Sequence, residues 1–379
     1  MSILTNRIRE VSRRPATLGQ VPEGAVTLAM GEPAGGTPQP IIEAAEAALR
    51  AGRTTYPPML GTPELRTAVA AHLDLGTNGA RPLDQVVVTH GAAAGLAAVF
   101  LAHLDPGDRV VLPEPTYSLY ADLVAMAGAQ TEWVPARSDG TLDPERVLAG
   151  LGGARMLVLC HPSNPTGEVL TPAVLQALIE RCEELGVLCV VDEAYRDILL
   201  DDEIPFQSSA DWLGTSEHVV LVGTFSKTFS MTGWRLGYAA GPASLLAHVG
   251  TVHQTFNGQS AMFVQDAAVR ALEVLPTVLP PLLEHYRENR RLVVRAMHKL
   301  GSAVTFAEPG GAFYAFPRIQ SDLTSDELVE RLTAGGVLVR SGREFGPSGE
   351  GFVRLSFSGE RAAVAEGLRR FTATVRQLV

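Results

Sequence analysis

Cysteine is scarce: Cys160, Cys182 and Cys189 are the only three in 379 residues. An odd count without close spacing argues against both a disulfide framework and a zinc site. Cys160 and Cys189 fall in apolar runs and read as buried, reduced thiols, from which a cytoplasmic location is expected. No stretch approaches the ~18 uninterrupted apolar residues of a membrane helix. The opening MSILTNRIREVSRRP has arginines but no apolar segment behind them, which is not the pattern of a secretory signal. Glu10 and the shortness of the stretch also weigh against a transit peptide. No basic run is longer than an arginine pair such as Arg13-Arg14, and the net charge is −10, so nucleic acid is not an expected partner.

Lysine is scarcer still. Lys and Arg together number 31, yet only Lys227 and Lys299 are lysines. Arginine keeps its proton at working pH and cannot act as an amine nucleophile, whereas lysine can. The surroundings of each lysine are therefore informative, although chance retention of two surface lysines would give the same count.

What is present is a 46% hydrophobic chain with ample length for a large core. Short Val/Leu/Ile runs at 85–89, 109–112, 156–160, 187–192, 219–223 and 237–240 are mostly continuous rather than alternating. Such runs predict strands of a parallel sheet covered on both faces. Helical patterns at 95–103, 118–126 and 172–185 lie between them, giving an α/β alternation. From about 275 the pattern changes. A charged helix is expected over 282–300, a strand at 313–316, a helix near 325–333, strands at 337–340 and 352–357, and a closing helix over 361–378. The expected architecture is a large α/β domain over 46–280 and a smaller α+β domain built from 1–45 and 281–379.

In open parallel sheets ligands bind at the carboxyl ends of the strands, and the polar clusters fall there. Gly91-Ala92-Ala93-Ala94-Gly95 opens a helix with small residues whose backbone N–H groups can face an anion, though a plain packing turn would look the same. His161-Pro162-Ser163-Asn164-Pro165-Thr166-Gly167 is a turn that could aim Asn164 into a site. Asp192 ends a buried apolar run, which is costly unless it meets a cation or good donors, or caps a helix. After 219–223 come Thr224-Phe225-Ser226-Lys227-Thr228 and, eight positions beyond the lysine, Arg235. An amine, hydroxyls and a guanidinium so grouped suit a Schiff base beside a phosphate.

With Asn164-Pro165-Thr166-Gly167, Asp192-Glu193-Ala194-Tyr195 and Ser226-Lys227…Gly233-Trp234-Arg235-Leu236-Gly237 in this order, the chain resembles the class I/II aminotransferases, fold type I pyridoxal-phosphate enzymes. The likeness runs from Gly31-Glu32-Pro33 to Arg354. The fold it implies has a mostly parallel central sheet flanked by helices, with a smaller α+β domain. It further implies that Lys227 forms the Schiff base and moves the substrate proton. Asp192 would pair with the pyridine nitrogen, Asn164 and Tyr195 would hydrogen-bond the ring oxygen, and Tyr117 would stack on the ring. Gly91, Ala92, Ala93, Thr224, Ser226 and Arg235 would form the phosphate cup, and Tyr56 would reach the phosphate of a neighbouring subunit in a homodimer. Arg354 would clamp the substrate α-carboxylate, with Gly31 and Asn164 beside it. Thr224 stands where the family usually has Ser or Gly. The phosphate loop lacks a hydroxyl, and it lacks the lysine that some aspartate-specific relatives carry there. Arg343 lies where it could edge the pocket, with an exposed arginine as the plainer reading.

The expected reaction is ping-pong transamination between an L-amino acid and a 2-oxo acid. β- or γ-Elimination, as in a carbon–sulfur lyase, would use the same residues. A non-catalytic effector-binding module would want a DNA-binding segment and a basic face, and the stretch before Gly31 is short for one. No Gly-x-Gly-x-x-Gly opens a strand–helix turn near the start, which argues against a nicotinamide dehydrogenase. His90, His161, His253 and Trp133 are read as structural.

Overall fold

The computed structural model describes residues 11, 21–75 and 82–379; the N-terminal stretch weighed above as a targeting signal lies almost entirely outside these. The chain runs through β1 (Val26–Thr27), α1 (Gln39–Arg50), α2 (Pro63–His72), β2 (Val86–Thr89), α3 (Gly91–His103), β3 (Arg109–Pro113), α4 (Leu119–Ala127) and β4 (Gln130–Val134). It continues with α5 (Pro144–Gly150), β5 (Met156–Cys160), α6 (Pro172–Leu185), β6 (Leu188–Asp192), β7 (Val219–Thr224), β8 (Gly237–Ala240), α7 (Ala243–Asn257) and α8 (Met262–Leu300). The remainder comprises β9 (Val304–Thr305), β10 (Tyr314–Ala315), β11 (Arg318–Ile319), α9 (Ser325–Ala334), β12 (Val337–Leu338), β13 (Arg340–Ser341), β14 (Val353–Ser356) and α10 (Arg361–Leu378).

Seven strands form one sheet in the order β2-β8-β7-β6-β5-β3-β4, all parallel except β8. The continuous apolar runs are buried throughout in β2 and β6, as strands covered by helices on both faces must be. One core cluster lies on each face. Val88, Leu157, Val191 and Leu221 point to one side; Val87, Val158, Val190 and Val222 point to the other. The alternation within each strand follows from its two-residue period. Local signals set the helix ends. Thr171 caps α6 by accepting from Val174 N–H, Pro172 occupies its first turn, and Gly186 closes it at φ 66°.

The C-terminal unit surrounds a separate cluster that includes Tyr286, Val293, Phe313, Leu355, Phe357 and Phe371. β1 joins it, pairing parallel with β12 through Val26↔Val337. Of the residues expected to accompany this unit from 1–45, Ile41 and Ala45 of α1 instead pack in the core of the large sheet with Leu65 and Val264. Their apolar face is drawn there by α8, which α1 lies against.

Helix α8 corrects the expectation of a helix starting at 282. It is one helix of 39 residues containing Pro276, Pro280 and Pro281, so the boundary expected at 280/281 falls inside it. Prolines in a helix interior remove hydrogen bonds. These three are exposed and lie between two packed stretches. Ala267, Ala268, Ala271 and Val274 anchor the first half in the sheet core; Tyr286, Val293 and Met297 anchor the second half in the C-terminal cluster.

Candidate active site

The carboxyl ends of β2, β5, β6 and β7 open on a cavity of about 280 Å³. Lys227, Asp192, Asn164, Tyr195, Tyr117, Thr224, Ser226, Arg235, Ala92, Ala93, Gly31 and Arg354 all line it, together with Tyr314, Cys160 and Arg340. Gly91 and Tyr56 do not. Gly91 lies just behind the wall, and Tyr56 is 89% exposed on the surface.

Asp192 ends β6, and its carboxylate is buried. Its Oδ2 accepts from Tyr120 Oη at 2.8 Å and its Oδ1 from Ala194 N–H at 3.1 Å. Burial pushes its carboxyl up to about 6, against these two donors and Lys227. Tyr120, fully buried on α4, was not picked out from the sequence. Its signal there is that of a core aromatic, because the hydroxyl's partner is 72 residues away.

Lys227 follows β7. Its Nζ donates to the Gly31 carbonyl at 2.7 Å, and burial, then Arg354, brings its ammonium down to about 8. The strap from Ala29 to Glu32 thus spans the site. Ala29 O accepts from Arg354 Nη2 at 2.6 Å, Gly31 O from Lys227, and Glu32 Oε1 from Thr232 Oγ1 at 2.8 Å. Gly31 must lack a side chain, because a Cβ there would stand 1.9 Å from Tyr314 Oη. Gly31→Ala is therefore expected to destabilise the protein by about 1–3 kcal/mol through overpacking and to displace the carbonyl from Lys227. Thermal unfolding would show the first effect and kcat/KM the second.

At the other end of the cavity, α3 begins at Gly91, and Ala92 and Ala93 of its first turn line the wall. Arg235 adopts φ 53°, a left-handed conformation rare for a side-chain-bearing residue. This turn brings its guanidinium to 2.7 Å from where a Gly91 Cβ would be, while Nη1 donates to Thr232 O at 2.9 Å. Thr224 Oγ1 donates to Leu236 O at 3.1 Å, lies 3.0 Å from Ser226 Oγ and accepts from Ser226 N–H. A helix N-terminus, two hydroxyls and a guanidinium converge there, which is an anion cradle.

Arg354, on β14, is 5% exposed. Its Nη1 donates to Asn164 Oδ1 at 3.0 Å, its guanidinium lies 4.4 Å from the Tyr314 ring and 5.0 Å from that of Phe345, and its Nε is buried with no hydrogen-bond partner among the described residues. Tyr195 Oη and Tyr314 Oη are hydrogen-bonded at 2.9 Å. Arg343 turns away to Asp326 and Glu350. The histidines read as structural have local partners: His161 stacks on Phe206 and accepts from Leu170 N–H, and His253 accepts from His90 N–H.

The family model for aminotransferase class I and II matches residues 23–371. An aspartate aminotransferase of Pyrococcus horikoshii is 32% identical over 377 residues, covering 97% of this chain and 94% of that one. A valine–pyruvate aminotransferase of Mycobacterium tuberculosis is 34% identical over 352 residues, 91% and 89% of the two chains. The structure of the Thermus thermophilus aspartate aminotransferase with maleate superposes with a TM-score of 0.89 at 31% identity, over 99% of this chain and all of that one. The mostly parallel seven-stranded sheet, the lysine-bearing cavity at its carboxyl edge and these similarities converge: the chain belongs to the class I and II aminotransferases, pyridoxal-phosphate-dependent enzymes of fold type I.

Proposed function

We propose that Lys227 is the residue that binds pyridoxal phosphate covalently and that the chain transfers an amino group between an L-amino acid and a 2-oxo acid. The observation that carries this is Lys227 Nζ, held 2.7 Å from Gly31 O in a cavity that has the anion cradle at one end and Arg354 at the other. The residues fit the cofactor. Asp192 is a buried carboxylate whose donors are neutral, a hydroxyl and an amide, so a protonated pyridine nitrogen would supply the cation it lacks. When bound, pyridoxal phosphate supplies the electron sink that lets the bonds at the substrate Cα break.

The chain's own groups do the rest. Arg235, Thr224, Ser226 and the N–H groups of Ala92 and Ala93 would hold the phosphate. Tyr117 would cover the ring face, and Asn164 and Tyr195 would bond its oxygen. Lys227 would carry the proton to and from the substrate Cα, and Arg354 with Gly31 and Asn164 would orient the α-carboxylate. Tyr56, exposed and not part of this cavity's wall, would serve that of a second copy in a homodimer. The C-terminal unit, with β1, would close over the cavity. No described helix is long and apolar enough to cross a membrane. The three unpaired thiols support a cytoplasmic location.

Amine capture of the cofactor requires the unprotonated Nζ. With its ammonium brought down to about 8, the association rate of pyridoxal phosphate with the cofactor-free protein should rise about tenfold per pH unit below 8 and level off above it. A rate independent of pH between 6 and 8 would show that Lys227 is not the attacking group.

The absorbance of the holoenzyme, mixed with single amino acids and no oxo acid, tests the function. One equivalent of oxo acid released as the cofactor band shifts identifies transamination and its donor. Ammonia accumulating over many turnovers identifies elimination and overturns the proposal.

A further inference from the structure

The roles proposed above leave one cation of the cavity wall unassigned. Arg340 lines the cavity and stands on β13 directly opposite Arg354 of β14. Directly opposed residues of an antiparallel pair share a face, with Cβ atoms about 5 Å apart. That spacing is comparable to the separation of the two carboxylates in a dicarboxylic amino acid. Two free guanidiniums so placed would favour such a substrate.

Arg340 is not free. Its Nε donates to Oε1 and Oε2 of Glu344 at 2.9 Å each, and its Nη2 also donates to Oε2. The pair is well shielded, with side-chain exposures of 13% and 34%, so water and salt screen it only in part. Glu344 belongs to the short helical turn Gly342–Phe345. The next residue, Phe345, packs against the Arg354 guanidinium, which fixes the turn to the site. A substrate carboxylate brought to Arg340 would have to displace Glu344 or share one guanidinium with it, and two carboxylates that close repel. Met30, Leu96, Tyr117 and Phe345 give the same cavity apolar surface, which suits an uncharged side chain.

We propose that Glu344 masks Arg340 and so restricts the enzyme to amino acids and 2-oxo acids whose side chains carry no negative charge. This rests on the transamination reading and adds the substrate class to it. Binding of pentanoate and glutarate to the holoenzyme by calorimetry isolates the effect, because these acids have the same chain length and differ only in a distal methyl or carboxylate. The wild type should bind pentanoate at least about tenfold more tightly. Glu344→Gln should improve glutarate at least about tenfold, and Arg340→Leu added to it should cancel that gain. If Glu344→Gln fails to fold, Glu344→Asp, whose shorter carboxylate withdraws from Arg340, should move glutarate in the same direction. The half-reaction rates of glutamate and 2-aminopentanoate should follow the same order.

A wild type that prefers glutarate, and loses that preference in Arg340→Leu, would overturn the proposal by making Arg340 the reader of a distal carboxylate. An unchanged ratio in the Glu344 variants would overturn it as well. Binding in the proposed order without amine transfer from any amino acid would sink the transamination reading and leave the charge selection standing.

Discussion

Replacing Lys227 by alanine is expected to abolish borohydride-reducible attachment of pyridoxal phosphate and to lower kcat by about four orders of magnitude, the upper end for removing a positioned proton-transfer group. The fold should survive. Among the described residues the Lys227 side chain makes one hydrogen bond, to the Gly31 carbonyl, and no ion pair, and burial already disfavours its charge. The other lysine serves as the internal control. Lys299 sits exposed in the last turn of α8, in the C-terminal unit and away from the cavity wall. Mass spectrometry of the reduced protein should find the label on the peptide bearing Lys227 in the wild type and on neither lysine in the variant. Label on Lys299 would move the attachment point and overturn the assignment.

Much of this was legible in the residues. The strand runs are apolar on both faces, so all six expected strands of the central sheet lie within a residue of the observed ones at both ends. β4 was not legible. It is an edge strand whose Gln130, Thr131, Glu132 and Trp133 are exposed or half-buried, so it has no continuous apolar run. The prolines of α8 concealed its continuity, because proline reads as a stop unless the tertiary packing on either side is known. In the site, the residues ending strands or following them could be assigned by motif. Tyr120 and Tyr314 could not, because their importance lies in partners far away in sequence, Asp192 for one and Tyr195 for the other. Arg340 was missed for a related reason. Its neighbour Arg343 drew notice, but in a two-residue strand only the register with Arg354 shows which arginine faces the cavity.

Arg354→Ala is expected to lower kcat/KM by about two to three orders of magnitude for every α-amino acid alike, the loss that follows from truncating one partner of a buried charge pair. The guanidinium is held on several sides, by Asn164 Oδ1, Ala29 O and the rings of Tyr314 and Phe345, all of them neutral. A buried cation with neutral supports and an Nε that has no partner among the described residues is incompletely compensated until an anion arrives, and a carboxylate can supply two acceptor oxygens in the plane of the fork. Arg354→Lys keeps the charge but loses the fork and the stacking, so it should recover only part of the loss. A panel of apolar, polar and acidic donors measured with each variant separates this role from that of Arg340. The loss must be uniform if Arg354 reads the α-carboxylate that every donor shares. A loss confined to one class of side chain would mean that the two arginines on facing strands have exchanged the roles given to them here.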